Sequence, residues 1–285
     1  MPRHPRPLGQ PTRGKTAPNR LRRTDVFLAL VYPEFVRHMT GQYVDLGYGF
    51  FPITSVETLH RLRRLNPDLL VLGVEIDPQR VAAAQPYAEP GLNFRLGGFN
   101  LPVQPGEQVS IIRAVNVLRQ YDEATVAEAL AALAAGLTPG GLILEGTSDP
   151  LGRLLTFNLF EKSPGGLART ALVLAPALRA DFQPRQFQAV LPKNFIHHAE
   201  PGGPIDHFFA AWQAAWQHAR AHSGQPRQIF MLAALRLANH YQYGLDRRPA
   251  LLRRGFLVLS PEWPAKLAAV ASDWGRPGPA QHRSG

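Results

Sequence analysis

The chain has no cysteine among its 285 residues. Disulfides, zinc–thiolate sites and cysteine-nucleophile chemistry are thereby excluded. It contains no run of about 18 apolar residues, so no membrane-spanning helix is expected. The Arg22-Arg23 pair ahead of the apolar stretch Val26 to Tyr32 has the look of an export signal, but Pro33 and Glu34 end that stretch. The cytoplasm is therefore the expected compartment. Acidic residues are missing from residues 1–24, where Arg3, Arg6, Arg13, Lys15, Arg20, Arg22 and Arg23 supply +7 of the formal net charge of +10. The basic character is thus a property of one end. That end has no aromatic residue, which argues against base stacking but leaves phosphate contact to RNA open.

Hydrophobic residues make up 45% and charged residues 18% of the chain, a balance suited to a globular protein with a large core. Four segments are expected. Residues 1–18, rich in Pro, Arg and Gly and without periodicity, read as a disordered basic tail. Residues 19–180 alternate short apolar runs with helical patterns. Strands are expected at 43–46, 69–75, 92–96, 109–113 and 141–146, and helices at 19–36, 54–65, 78–87 and 123–136. Thr54 followed by Glu57 suggests a capping box. Leu151 to Leu174 reads as a hairpin around Ser163-Pro164-Gly165-Gly166. Residues 181–274 read as a mostly helical extension, with strong amphipathic patterns over 205–222 and 227–240 and a late strand near 255–260. Trp212 and Trp216, four apart, form a core stripe. Residues 275–285 read as a disordered tail. Strand alternating with helix gives an α/β fold, a doubly wound and mostly parallel sheet with a helical C-terminal addition.

The chemistry sits where the first two strands end. Val44-Asp45-Leu46-Gly47-Tyr48-Gly49 runs a buried strand into a glycine turn, and Leu72-Gly73-Val74-Glu75 ends the next strand on an acid. Glycine permits a sharp bend and close approach of a ligand, and a carboxylate at that place accepts hydrogen bonds from ribose hydroxyls. A dinucleotide site requires a third glycine, where this chain has Pro52. Proline removes one of the N–H groups that a pyrophosphate needs.

The acidic-x-Gly-x-Gly pattern from Asp45 to Gly49 resembles motif I of the class I S-adenosylmethionine-dependent methyltransferases. The resemblance continues in order through Glu75, Asn93 to Pro102, Val109 to Leu118 and Leu137 to Glu145, covering about residues 40–150. It implies a Rossmann-like methyltransferase with S-adenosyl-L-methionine as cofactor, held by Asp45, Gly47, Tyr48, Gly49, Glu75, Ile76, Gly98, Phe99 and Asn116. The family often has an aspartate in the third-strand loop, where Gly98 or Phe99 stands here. Asn116 and Arg113, after and within the fourth strand, are the candidates for handling a methyl acceptor. Alternatively, Asn116 caps the following helix.

The acceptor is not legible; small molecule and RNA both stay open, the latter through the basic tail. No metal and no membrane partner are expected. His197, His198, Glu200, Asp206 and His207 cluster without a zinc spacing, and read as a surface loop. Two other readings stand beside the enzyme: a non-catalytic Rossmann-like nucleic-acid-binding module, and a nicotinamide-dependent oxidoreductase.

Overall fold

A computed structural model describes residues 6–264. In chain order these form α1 (Arg22–Val31), α2 (Pro33–His38), β1 (Gln42–Leu46), α3 (Ile53–Leu62), β2 (Val71–Glu75), α4 (Pro78–Ala84), β3 (Leu92–Leu96), β4 (Val109–Val115) and α5 (Glu123–Gly136). There follow β5 (Leu142–Ser148), β6 (Leu154–Ser163), β7 (Gly166–Pro176), α6 (Lys193–Ile196), α7 (Pro204–Arg220), α8 (Pro226–Asn239), α9 (Pro249–Leu252) and β8 (Leu257–Leu259).

All eight strands lie in one sheet of order β3-β2-β1-β4-β5-β6-β7-β8. Strands β1 to β5 are parallel, and β6, β7 and β8 add antiparallel strands beyond them. This is the doubly wound, mostly parallel α/β sheet that the strand–helix alternation implied. Strands β1, β2, β4 and β5 are buried along their whole length, as parallel strands with both faces covered must be. Order reverses between β1 and β4, and an open α/β sheet binds its ligands beyond the carboxyl ends of the strands at such a point.

Apolar residues gather on both faces. One cluster joins Tyr43, Ile111, Leu144, Phe157 and Val173 to α1 and α3, with Phe27 edge-on to Phe157. A second joins Val44, Ile112 and Ile143 to Val126, Ala129 and Leu133 of α5. A third packs Leu172, Leu174, Leu257 and Leu259 against α7 and α8. Trp212 and Trp216 are buried in this last cluster, as their helical spacing requires. Because β8 pairs with β7, the segment beyond residue 180 supplies a strand to the same sheet and not helices alone.

The differences at element ends have local causes. The expected helix over 19–36 is two helices that meet at Tyr32 ahead of Pro33. The capping box at Thr54 does not form: α3 starts one residue earlier, after Pro52, without a side-chain cap, and Thr54 turns to Asp45 instead. Glu57 accepts the backbone N–H of Asn19. A 3-10 helix spans Pro184–Val190. Residues 275–285 lie outside the described residues. Among the described residues no helix is long and apolar enough to cross a membrane.

Candidate functional site

The turn after β1 takes Gly47 to φ +70° and Gly49 to φ +90°, left-handed conformations that favour glycine. The Gly47 N–H donates to the Val74 carbonyl at 2.7 Å, which ties the turn to the end of β2. A Cβ on Gly47 would stand 2.9 Å from Val117 Cγ2, so the turn has no room for a side chain. Tyr48 points back into the protein, edge-on to Phe94 at 5.3 Å, and burial pushes its phenol above the ordinary pKa.

Beneath the turn lies a buried charge network. Asp45 Oδ1 accepts from Arg113 Nε at 2.9 Å, and Asp45 Oδ2 accepts from the hydroxyls of Thr54 at 2.7 Å and Ser55 at 2.8 Å. Arg113 also meets Asp25 Oδ1 at 3.0 Å, Thr58 Oγ1 at 2.9 Å and the Thr54 carbonyl at 3.2 Å. Arg61 closes on the same Asp25. Burial works against the Arg113 charge, but Asp45 and Asp25 outweigh it and hold the guanidinium protonated. Arg113, expected to face an acceptor, is instead fully buried and consumed in fixing β1, α1 and α3.

Glu75, at the end of β2, is buried and reaches the turn: Oε2 accepts from the Gly49 N–H at 3.1 Å and Oε1 from the Ile76 N–H at 2.9 Å. Arg80 NH1 stands 3.5 Å from Oε2. Asp77 caps α4 by accepting from Gln79 N, with Pro78 opening the helix, and this sets Arg80 over Phe50 at 4.4 Å. The Asp77 N–H also points at Oε1 at 3.4 Å, so each carboxylate oxygen already faces two donors, the longer contacts being those to Asp77 N and Arg80 NH1.

Asn116 has φ +64°, a left-handed position that asparagine tolerates better than most residues. It does not cap a helix. Its Nδ2 donates to Ser148 Oγ at 2.9 Å and its Oδ1 accepts from the Ser148 N–H at 2.9 Å, a reciprocal pair joining the ends of β4 and β5. Asp45, Gly47, Tyr48, Gly49 and Asn116 line one crevice of about 600 Å³ at the carboxyl edge of the sheet, together with Ser148, Arg119 and Val190. Glu75, Ile76, Gly98 and Phe99 adjoin it on the β2–β3 side but do not line it.

What covers that side is the amino-terminal segment. Residues 6–18, expected as a disordered tail, carry no helix or strand yet lie along the sheet edge. The Phe99 N–H donates to the Leu8 carbonyl at 2.9 Å, and the Leu8 N–H donates to Asn100 Oδ1 at 2.7 Å. Gln10 pairs with the Tyr121 hydroxyl, Arg80 donates to the Thr12 carbonyl at 2.9 Å, and the Phe50 N–H donates to the Gly14 carbonyl at 2.9 Å. Arg20 then reaches Ser148 Oγ at 3.0 Å, and burial lowers its pKa. No periodicity in this segment signals these contacts, since they are made by backbone groups.

A second polar group lies deeper. Glu145 and Thr147 on β5 stand directly opposite Asn158 and Thr156 on β6. Asn158 Nδ2 donates to Glu145 Oε2 at 2.8 Å, and burial pushes the Glu145 carboxyl up to about 7, with Asn158 opposing the shift more weakly. None of the histidine cluster lines the crevice; His198 lies near Glu123 and Asp206 pairs with Arg185. Among the described residues no group of three or more His, Asp or Glu side chains is placed to hold a metal ion.

No protein-family model and no curated protein matches the chain. Similar solved structures include the CMeT domain of the citrinin polyketide synthase, with 18% identity over 46% of this chain and 36% of that one and a TM-score of 0.37. The putative methyltransferase bound to the Haloferax volcanii Trm112 methyltransferase activator has 20% identity over 45% of this chain and 58% of that one, TM-score 0.30. The plantazolicin methyltransferase BpumL, solved with a pentazolic desmethylPZN analog and SAH, has 14% identity over 46% and 48%, TM-score 0.36. The chain thus spans less than two thirds of each. Likenesses this distant say nothing of ligand or reaction, which rest on the residues themselves.

Proposed function

We propose that the chain is an S-adenosylmethionine-dependent methyltransferase. The observation that carries this reading is the conjunction, at the strand-order reversal, of a two-glycine turn with no room for a side chain and a buried acid, Glu75, at the end of the neighbouring strand. The residues present fit an adenosyl amino acid. Ribose hydroxyls would take the place of the two long contacts of Glu75, an adenine edge would take the Phe99 N–H in place of the Leu8 carbonyl, and the Gly47 turn with Asn116 bounds the amino-acid end. Pro52 immediately before α3 removes one backbone N–H at that helix start, which disfavours a pyrophosphate and hence a nicotinamide cofactor.

When bound, S-adenosylmethionine supplies an electrophilic methyl on a sulfonium. The work left to the chain is alignment and exclusion of water. Arg113 acts here as a positioning residue, holding Asp45 and so the base of the glycine turn. Asn116 and Ser148, locked to each other, fix the rim on which an acceptor rests.

The test is transfer of tritiated methyl from S-adenosylmethionine to cell extract fractionated into RNA, protein and small metabolites. Label in one fraction that is lost with Gly47→Val supports the reading and names the acceptor class. No label in any fraction, from protein that is folded by circular dichroism, refutes it.

A further inference from the structure

The amino-terminal segment follows the path that the proposed reading gives the cofactor. It starts at the third-strand loop, where Leu8 exchanges hydrogen bonds with Phe99 and Asn100, and Asn100 Nδ2 also donates to the Arg6 carbonyl at 3.0 Å. It passes Tyr121 and Gln120, both of which donate to the Gln10 carbonyl, at 3.3 Å and 3.2 Å. It crosses the glycine turn at Thr12 and Gly14 and ends at the rim with Arg20 on Ser148. The Phe99 N–H, which the proposed reading gives to an adenine edge, is thus spent on a peptide carbonyl.

The glycines carry the same message. A Cβ on Gly98 would overlap the Leu8 carbonyl, and one on Gly49 would overlap the Gly14 carbonyl. The space these glycines leave is filled by the chain's own backbone. The segment is built for the fit: Gly9 has φ +126° and Gly14 φ +69°, and a Cβ on Gly14 would stand 2.8 Å from both the Arg80 guanidinium carbon and the Phe50 ring.

Its attachment is polar. Leu8 is 53% exposed, and the anchors are hydrogen bonds that water replaces at modest net cost. A segment held this way opens locally without unfolding the sheet.

We infer that residues 6–14 are an autoinhibitory strap: they occupy the adenosyl half of the crevice, and the cofactor binds only when they leave it. The inference rests on the proposed cofactor reading. Strap and cofactor compete for one site, so the apparent affinity is the intrinsic affinity reduced by the fraction of molecules with the strap released.

The experiment uses the full chain. Gly14→Val places a β-branched residue at positive φ against Arg80 and Phe50, and so expels the strap without altering a residue of the sheet edge. S-adenosylhomocysteine affinity is measured by calorimetry for wild type and variant, and trypsin cleavage after Arg13 and Lys15 is timed with and without that ligand. The expected result is binding on the order of tenfold tighter or more in the variant, and wild-type cleavage that accelerates when ligand is added. Equal or weaker binding in the variant, or wild-type cleavage indifferent to ligand, overturns the strap while leaving the cofactor reading intact. No heat with either protein overturns the cofactor reading, and the strap with it.

Discussion

Arg113 of β4 and Asp45 of β1 stand directly opposite each other in the parallel register and meet in a two-point fork, Nε to Oδ1 at 2.9 Å and NH2 to Oδ2 at 2.8 Å. Both are buried, and the fork joins the two strands between which the sheet reverses order. The geometry places a charge pair under the glycine turn, where its rigidity is transmitted to the loop above.

Replacing Arg113 with Met leaves Asp45 without its cation and Asp25 with Arg61 alone. Breaking a buried pair from one side costs about 3–5 kcal/mol. A fall of that size in urea-unfolding stability is expected for Arg113→Met, and Arg113→Lys is not expected to restore it, because an ammonium lacks the planar fork. A loss below about 1 kcal/mol, the scale of a surface pair, contradicts the assignment.

Glu145 makes stability depend on pH. Its folded pKa of about 7 lies above its ordinary 4.5 because burial disfavours the charged form. A raised folded value means that its contribution is complete below about 4.5 and is lost as pH rises through about 7. Stability of wild type relative to Glu145→Gln should therefore decline across that window, by up to roughly 3 kcal/mol. Parallel pH–stability curves for the two proteins would show that Glu145 does not titrate in the fold.

Gly47→Val forces a β-branched residue to φ +70° and into Val117. The left-handed conformation alone costs about 1–2 kcal/mol. The turn must shift to relieve the contact, so S-adenosylhomocysteine binding should vanish in calorimetry while the thermal transition stays cooperative. Wild-type affinity in this variant would remove the turn from the site.

Glu75→Gln keeps the shape but removes the charge that three backbone N–H groups address and that the proposed reading offers to ribose hydroxyls. Adenosine-containing ligands should bind more weakly by about 1–3 kcal/mol, with methionine binding unchanged. Equal loss for both ligands would point to general disruption of the turn.

Much of this architecture was legible because it is written in short-range patterns. Continuous apolar runs marked the buried parallel strands, Ser163 to Gly166 marked the β6–β7 turn, and the four-residue spacing of Trp212 and Trp216 marked a buried helix face. The glycine turn and Glu75 were legible for the same reason, since a bend and a strand end are local events. Arg113 was misplaced because its partners Asp25, Asp45 and Thr58 lie 55 to 88 residues away in sequence. The alternative of a helix cap at Asn116 fails because its partner is Ser148 across the sheet. The amino-terminal segment looked structureless because it lacks apolar periodicity, and its backbone hydrogen bonds leave no trace in side-chain pattern.

The central claim is that the crevice holds an adenosyl amino acid, and a crystal structure of the full chain grown with saturating S-adenosylhomocysteine tests it most directly. The expected result is a ligand with its ribose hydroxyls on the Glu75 carboxylate, its adenine edge on the Phe99 N–H and its amino-acid end between Gly47 and Asn116. Ligand bound elsewhere, or a crevice without ligand at saturation and with Glu75 closed on Gly49, would contradict the account.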